Sequence, residues 1–297
     1  MGADWTQLSA RASFASHRLI GWIYWDPIAL ESYRALGLEM GGVTYIASRA
    51  APLAPAGSQV VAATFYSISP DFIAAALQIA EQHTTYDAII DARNDAVVRG
   101  LQTYVPAICS GLAALAPALW EAADALPVSG RALFAAHRQQ ARPADPLLSA
   151  WLAVNCIREW RGDTHFAVLA AEDISATQAG LLHNAFLNYP KDWIPRSRGS
   201  DDAALEAAYA GLSERGLAEG HEITAAGLAL RAQIEERTDA LCERAWRRLG
   251  EQLTTEFLSL VEPVGDRLVS RIDETAGTEW MPAARTRRPS AVAQERS

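Results

Sequence analysis

Apolar residues recur at helical spacing along almost the whole chain, and short runs of Gly, Pro, Ser and Asp punctuate them. The first such stretch, 8–25, ends in aromatic residues (Trp22, Tyr24, Trp25). Asp26 and Pro27 then supply an N-cap and a first-turn proline, which predicts a second helix to about Leu36, stopped by Gly37. Gly41 and Gly42 fall in or beside the next helix, near Tyr45, and 50–55 reads as a loop. Val60 to Tyr66 (VVAATFY) is β-branched and aromatic, a strand by propensity alone and a buried helix in a helical setting. Ser69-Pro70-Asp71 starts a helix over 71–82, and further helices fit 85–99, 103–125 and 129–140.

The run 141–146 (ARPADP) is the best candidate joint between domains. After it, Leu147 to about Arg161 is apolar nearly all round, which predicts a buried central helix, with another helix over 163–171. Ser175 caps a helix over 175–187, residues 188–200 read as a polar loop, and 201–215 is helical with Leu205, Tyr209 and Leu212 at core spacing. Gly216 ends that helix. Leu217 and Ile223 are placed in two short strands around Glu219-Gly220, and Thr224 caps a long helix through Leu249. Residues 251–275 extend it or add one more. The expected organisation is therefore mainly α: a helical domain over 8–140, a second over 147–275, and a disordered tail over 277–297.

Composition narrows the class. Half of the 297 residues are hydrophobic and 21% are charged, as in globular proteins. Cys109, Cys156 and Cys242 are too few and too scattered for a disulfide framework or a zinc site, which agrees with a reducing, cytoplasmic setting. No signal peptide and no membrane span is expected. The net charge of −9 argues against a nucleic-acid partner, because phosphate neutralisation supplies most of such affinity.

One spacing carries a resemblance. Leu212, Arg215, Gly216, Leu217, Thr224, Gly227 and Leu230 form LxxRGLxxxxxxTxxGxxL, similar to the wing region of MarR-type regulators. RAAPL (49–53), VVAATFYSISP (60–70), REWRGDTH (158–165) and IEERTDALCERAW (234–246) together resemble a bacterial family of helix-turn-helix, MarR-like proteins over about residues 10–250. The resemblance implies a winged helix-turn-helix and no particular activity. The chain departs from that pattern at Thr164, where a glycine is usual, and at Gly21, where a histidine is common. The two halves also read as a distant duplication, so a tandem pair of such units is an expectation, and a homodimer is the assembly to be considered.

The helix 201–215 would be the recognition helix of such a unit. It carries Asp201, Asp202, Glu206 and Glu214 against Arg215 alone, and the wing carries Glu219, His221 and Glu222. Acidic groups repel phosphate, so DNA is a disfavoured partner, although the preceding loop offers Lys191, Arg196 and Arg198. The charged REWRGDTH stretch ends an otherwise apolar helix, and its charges need partners from other segments. A satisfied structural network is the plain reading of it. The functional one is the floor of a ligand pocket in which Arg158 or Arg161 holds an anionic or carbonyl group and His165 acts as a base oriented by Asp163 or Glu159. The aromatic residues extend that pocket, with Trp22, Trp25, Tyr45, Arg49, Phe65, Tyr66, Trp151, Asn155 and Arg158 as candidate ligand-binding residues.

No histidine spacing suits a metal, and no phosphate loop or nucleophile signature is present, so no cofactor is expected. The main expectation is a protein that binds an aromatic or hydrophobic metabolite or natural product in a regulatory or self-protective role. A cofactor-free hydrolase, cyclase or isomerase and a MarR-like repressor are the alternatives.

Overall fold

The computed structural model describes residues 3–39 and 41–285. α1 (Trp5–Gly21) starts where the Asp4 carboxylate accepts from the Gln7 N–H, and a 3-10 turn, Trp22–Tyr24, follows it. Asp26 caps α2 (Pro27–Ala35) through the Ile28 N–H at 2.9 Å. α3 (Gly41–Ala50), α4 (Ser58–Phe65), α5 (Pro70–His83) and α6 (Tyr86–Tyr104) come next. The VVAATFY run is helical: it turns Val61, Thr64 and Phe65 inward and leaves Val60 outside, so one buried face outweighs β propensity. The single helix expected over 103–125 is two, α7 (Pro106–Ala114) and α8 (Ala116–Asp124), because Pro106 and Pro117 each open a new helix. α9 (Ala132–Arg138) closes this half.

Asp145 caps α10 (Pro146–Ala171), its carboxylate accepting from the Leu148 N–H at 2.9 Å. α10 runs unbroken for 26 residues through the break expected near Gly162. It is the central helix, packed against α1, α7, α8 and α9. Ser175 and Gln178 form a reciprocal capping box on α11 (Ala176–Leu187), and Asn188 ends that helix in the left-handed region. The expected polar loop contains α12 (Trp193–Ser197), followed by α13 (Asp202–Glu214). Gly216, at φ +71°, turns the chain into β1 (Ala218–Glu219), which pairs antiparallel with β2 (Glu222–Ile223) in the register Ala218 to Ile223. Thr224 then caps α14 (Ala225–Leu249). A Cβ on Gly227 would lie 2.3 Å from the Leu217 carbonyl oxygen, which explains the glycine three residues after the capping threonine. α15 (Glu251–Val261) and α16 (Gly265–Asp273) complete the helices.

The joint at 141–146 is a loop, but it does not divide the core. α1 packs on α10, α14 and α15, and one apolar cluster runs from Ala12 to Ala284. Tryptophans fasten it. The indoles of Trp22 and Trp151 both donate to the Leu19 carbonyl, at 2.8 and 3.0 Å, satisfying an acceptor left open by the end of α1. Trp120 donates to Ser149 and Trp160 to the Pro127 carbonyl, so each joins two segments. Removing such a side chain costs about 3–5 kcal/mol. Smaller clusters lie beneath α11–α13 and between α3, α4 and α5.

The tail departs from expectation over 277–285. Residues Pro282–Ala284 form a 3-10 turn, Met281 and Ala284 are buried, and Arg18 Nε donates to the Ala284 carbonyl at 3.0 Å. Apolar contact with α1 holds the segment down: a Cβ at Gly21 would lie 2.3 Å from the Met281 methyl. The rest of the expected tail, 286–297, lies outside the described residues. Among the described residues no single helix is long and apolar enough to cross a membrane.

Candidate functional site

α10 places residues 158, 162, 165 and 169 on one stripe, since side chains three and four apart share a helix face. That stripe borders a cavity of about 400 Å³. The opposite walls come from α3 (Tyr45, Arg49), α14 (Arg231, Glu235, Asp239), α11 and α12 (His183, Trp193) and the C-terminal segment (Trp280, Met281). Much of the lining is aromatic. Trp25 stacks on Tyr45 with ring centroids 5.0 Å apart, and Trp280 packs against both Trp25 (5.5 Å) and Trp193 (5.3 Å).

The base of the cavity is ionic. Glu159 is fully buried and receives Arg49 bidentately, Nε at 2.9 Å and a terminal nitrogen at 2.6 Å, and Arg158 at 2.6 Å. Burial pushes the Glu159 carboxyl up, but the two guanidinium groups outweigh it and hold it below its ordinary range. Arg49 is also fixed through its backbone. His137 Nε2 donates to the Arg49 carbonyl at 2.9 Å, so its Nδ1 must accept, and it does so from the Asn155 amide at 3.1 Å. Burial pulls His137 down to about 4, which keeps it neutral in this role.

On the α14 side Arg161 binds Asp239 at 2.8 Å and also Glu235, and Arg231 binds Glu235 at 2.8 Å. His165 Nδ1 is 3.0 Å from the Thr238 hydroxyl. That hydroxyl donates to the Ile234 carbonyl, so the histidine is the donor and its Nε2 is left as an acceptor. Burial pulls His165 down to about 3, with Glu235 opposing and Arg231 and Arg161 adding to the fall. Among the described residues no group of three or more His, Cys, Asp or Glu side chains could hold a metal ion.

The family model described as a helix-turn-helix family matches residues 9–274. The chain belongs to this helix-turn-helix family. No curated protein and no solved structure matches it. α11 and α12 contribute a wall of the cavity, while the face of α13 carrying Asp202 and Glu206 is turned to solvent.

Of the residues singled out in the sequence, Trp25, Tyr45, Arg49, Phe65, Arg158 and His165 line the cavity together. Trp22 and Trp151 are core residues, Tyr66 stacks on Phe166 at 5.4 Å, and Asn155 acts behind the site through His137. Neither Asp163 nor Glu159 orients His165. Asp163 accepts from the Phe134 N–H at 3.0 Å at the start of α9, and Glu159 is committed to its two arginines. Sequence reasoning missed Arg231, Glu235 and Asp239, whose spacing of four on α14 marks one stripe. It also missed Trp193 and Trp280, for which no local pattern exists.

Two stability predictions follow from the buried carboxylates. Glu159→Gln leaves Arg49 and Arg158 buried without their anion and is expected to cost about 3–5 kcal/mol, lowering Tm by roughly 10 °C at pH 7. Because the folded pKa is depressed, this stabilisation is present above the ordinary carboxylate value and lost as pH falls through the folded one. Thermal melts of the two proteins should therefore converge only at strongly acid pH. Asp163 behaves oppositely: burial raises it from 3.8 to about 7, so the stability of the neutral form is fully present below the ordinary carboxylate value, is lost progressively as pH rises from there to about 7, and changes little above it. Asp163→Asn should match the parent at about pH 3.5 and melt progressively higher than it as pH rises to about 7 and beyond; a lower Tm than the parent at about pH 8.5 would show that the charge is needed.

Proposed function

We propose that this helix-turn-helix protein binds a small aromatic or hydrophobic molecule, a metabolite or natural product, for sensing or for sequestration. The observation that carries this is the aromatic-walled cavity between α3, α10, α14 and the α11–α12 segment. Its volume is of the size that takes drug-like ligands, and its walls combine rings with a few convergent polar groups.

We read α11 to α14 with the β1–β2 pair as a winged helix of MarR-like type, with the motif glycines Gly216 and Gly227 in the positions such a wing requires. A tandem duplication has less support, since residues 41–138 contain no strand pair to match the wing. In this reading the winged unit is a scaffold for the pocket. Asp201, Asp202, Glu206 and Glu214 are exposed along α13, and Glu219 and Glu222 at the wing. Arg196 is paired with Asp202 at 2.8 Å, Arg215 donates to two backbone carbonyls, and His221 is hydrogen-bonded to Glu206 at 3.1 Å. A phosphate backbone would meet mostly negative charge there. Family membership favours a DNA-binding repressor as the second reading. The enzyme reading has little support, because a histidine held near 3 is a weak base at neutral pH and lacks a carboxylate to orient it.

The neutral fluorophore N-phenyl-1-naphthylamine tests the pocket. The protein should bind it with an emission increase, and Ala232→Trp, which adds bulk at a half-buried wall position, should weaken binding by about tenfold or more without lowering Tm. Emission unchanged by that substitution would remove the pocket from the account. For DNA, anisotropy with the gene's own upstream duplex at about 0.15 M salt should show no binding tighter than about 10 µM. A nanomolar operator with a steep salt dependence would establish the repressor reading instead.

A further inference from the structure

Five guanidinium groups line the cavity: Arg49, Arg158, Arg161, Arg198 and Arg231. Four of them each pair with a carboxylate, Arg49 and Arg158 sharing the buried Glu159, Arg161 binding the half-buried Glu235 and the buried Asp239, and Arg231 binding Glu235. Arg198 is the exception. Among the described residues no carboxylate lies within ion-pair distance of it, and its one hydrogen-bond acceptor is the Ser67 hydroxyl, 2.9 Å away. A guanidinium has five N–H donors in a planar fork, so most of its capacity is unused. Burial pulls it down to about 10; Tyr45 counters that effect, and Arg231 and Arg49 add to it. It remains charged at neutral pH, as a partly desolvated cation facing an apolar chamber.

The backbone shows that this placement is built. Arg198 closes α12, and its carbonyl accepts from the Ser69 N–H at 2.8 Å. The next residue, Gly199, has φ +91°, and a Cβ there would fall 2.8 Å from Ser69 Cβ. Two hydrogen bonds and a close backbone approach therefore fix Arg198 against the 67–69 loop and present its head to the cavity. A half-buried charge without a counter-charge carries a desolvation cost, and an anion from the ligand would relieve it.

We propose that the cavity selects an aromatic anion, with a carboxylate or sulfonate-type oxyanion seated on the Arg198 guanidinium and the ring held by the aromatic walls. This rests on the ligand-binding reading above and adds the chemical class and the residue that reads it. Arg198 is in this account a specificity-determining residue.

A matched pair of probes isolates the charge. 8-Anilinonaphthalene-1-sulfonate carries a sulfonate that N-phenyl-1-naphthylamine lacks, and the two share the same ring system. Fluorescence titrations are run on the parent protein and on Arg198→Gln, Arg198→Lys and Ala232→Trp. The parent should bind the sulfonate at least about tenfold more tightly than the amine. Arg198→Gln should lose about tenfold for the sulfonate and less than about twofold for the amine, and Arg198→Lys should retain most of the preference. Sulfonate affinity unchanged in Arg198→Gln, or an equal loss for both probes, overturns the assignment while leaving the pocket intact. Failure of both probes to bind the parent, or binding untouched by Ala232→Trp, overturns the pocket reading and the assignment with it.

Discussion

Glu159 is a carboxylate with no access to water, and much of the site depends on its staying ionised. Burial alone would neutralise it. Arg49 and Arg158 prevent this, one from another helix and one from the adjacent residue, and their hydrogen bonds fill both carboxylate oxygens. Arg49 can do so only if α3 lies against α10 in one register. The His137 and Asn155 relay makes that register unique by holding the Arg49 carbonyl as well. Three elements, α3, α9 and α10, are thus locked at one point, and that point is the base of the cavity. An apolar substitute for the cluster could pack as stably but would not specify the same positions for Tyr45 and Phe65 above it.

The second ionic group follows the same logic with a different outcome. Arg161, Arg231, Glu235 and Asp239 tie α10 to α14, and each arginine there finds a carboxylate. With both groups satisfied internally, neither asks for a ligand charge. Arg198, on the α12 side, is the cavity guanidinium that has no carboxylate within ion-pair distance among the described residues. The stability predicted to be lost with Glu159 and the ligand preference predicted to be lost with Arg198 separate these two uses of arginine in one cavity.

Local signals made most of the fold legible. Asp26, Ser175 and Thr224 cap the helices they were expected to cap, and the all-round apolarity of 147–161 identified the central helix. Misreadings arose where a local rule met a stronger one. Val60 to Tyr66 obeyed packing over propensity. Gly162 did not break α10, because the charged residues around it had partners on α3, α9 and α14. Site residues were found where they share a helix with a charged motif, as Arg158 and His165 do. Asp163 and Glu159 look equivalent in sequence, one turn apart, yet face α9 and α3 respectively, and only the packed structure separates them. Trp280 lies 255 positions from the ring it packs against at Trp25, a pairing that no window on the chain can anticipate.

The packing of α11 to α14 explains why the cavity is where it is. The core there, built on Leu182, Leu205 and Leu212, needs a floor, and the C-terminal turns of α10 with α14 provide it. That leaves a gap between this small core and the one shared by α3, α4 and α5, because α12 and the 67–69 loop meet at a backbone contact that keeps the two cores from merging. The gap is too broad for side chains to close and is lined by the faces each core could not bury in itself. Rings from both sides reach it, and so does the one arginine at the point of contact. On the ligand-binding reading the unit would act through this inner face, and the acidic side chains exposed on α13 would have no phosphate backbone to meet.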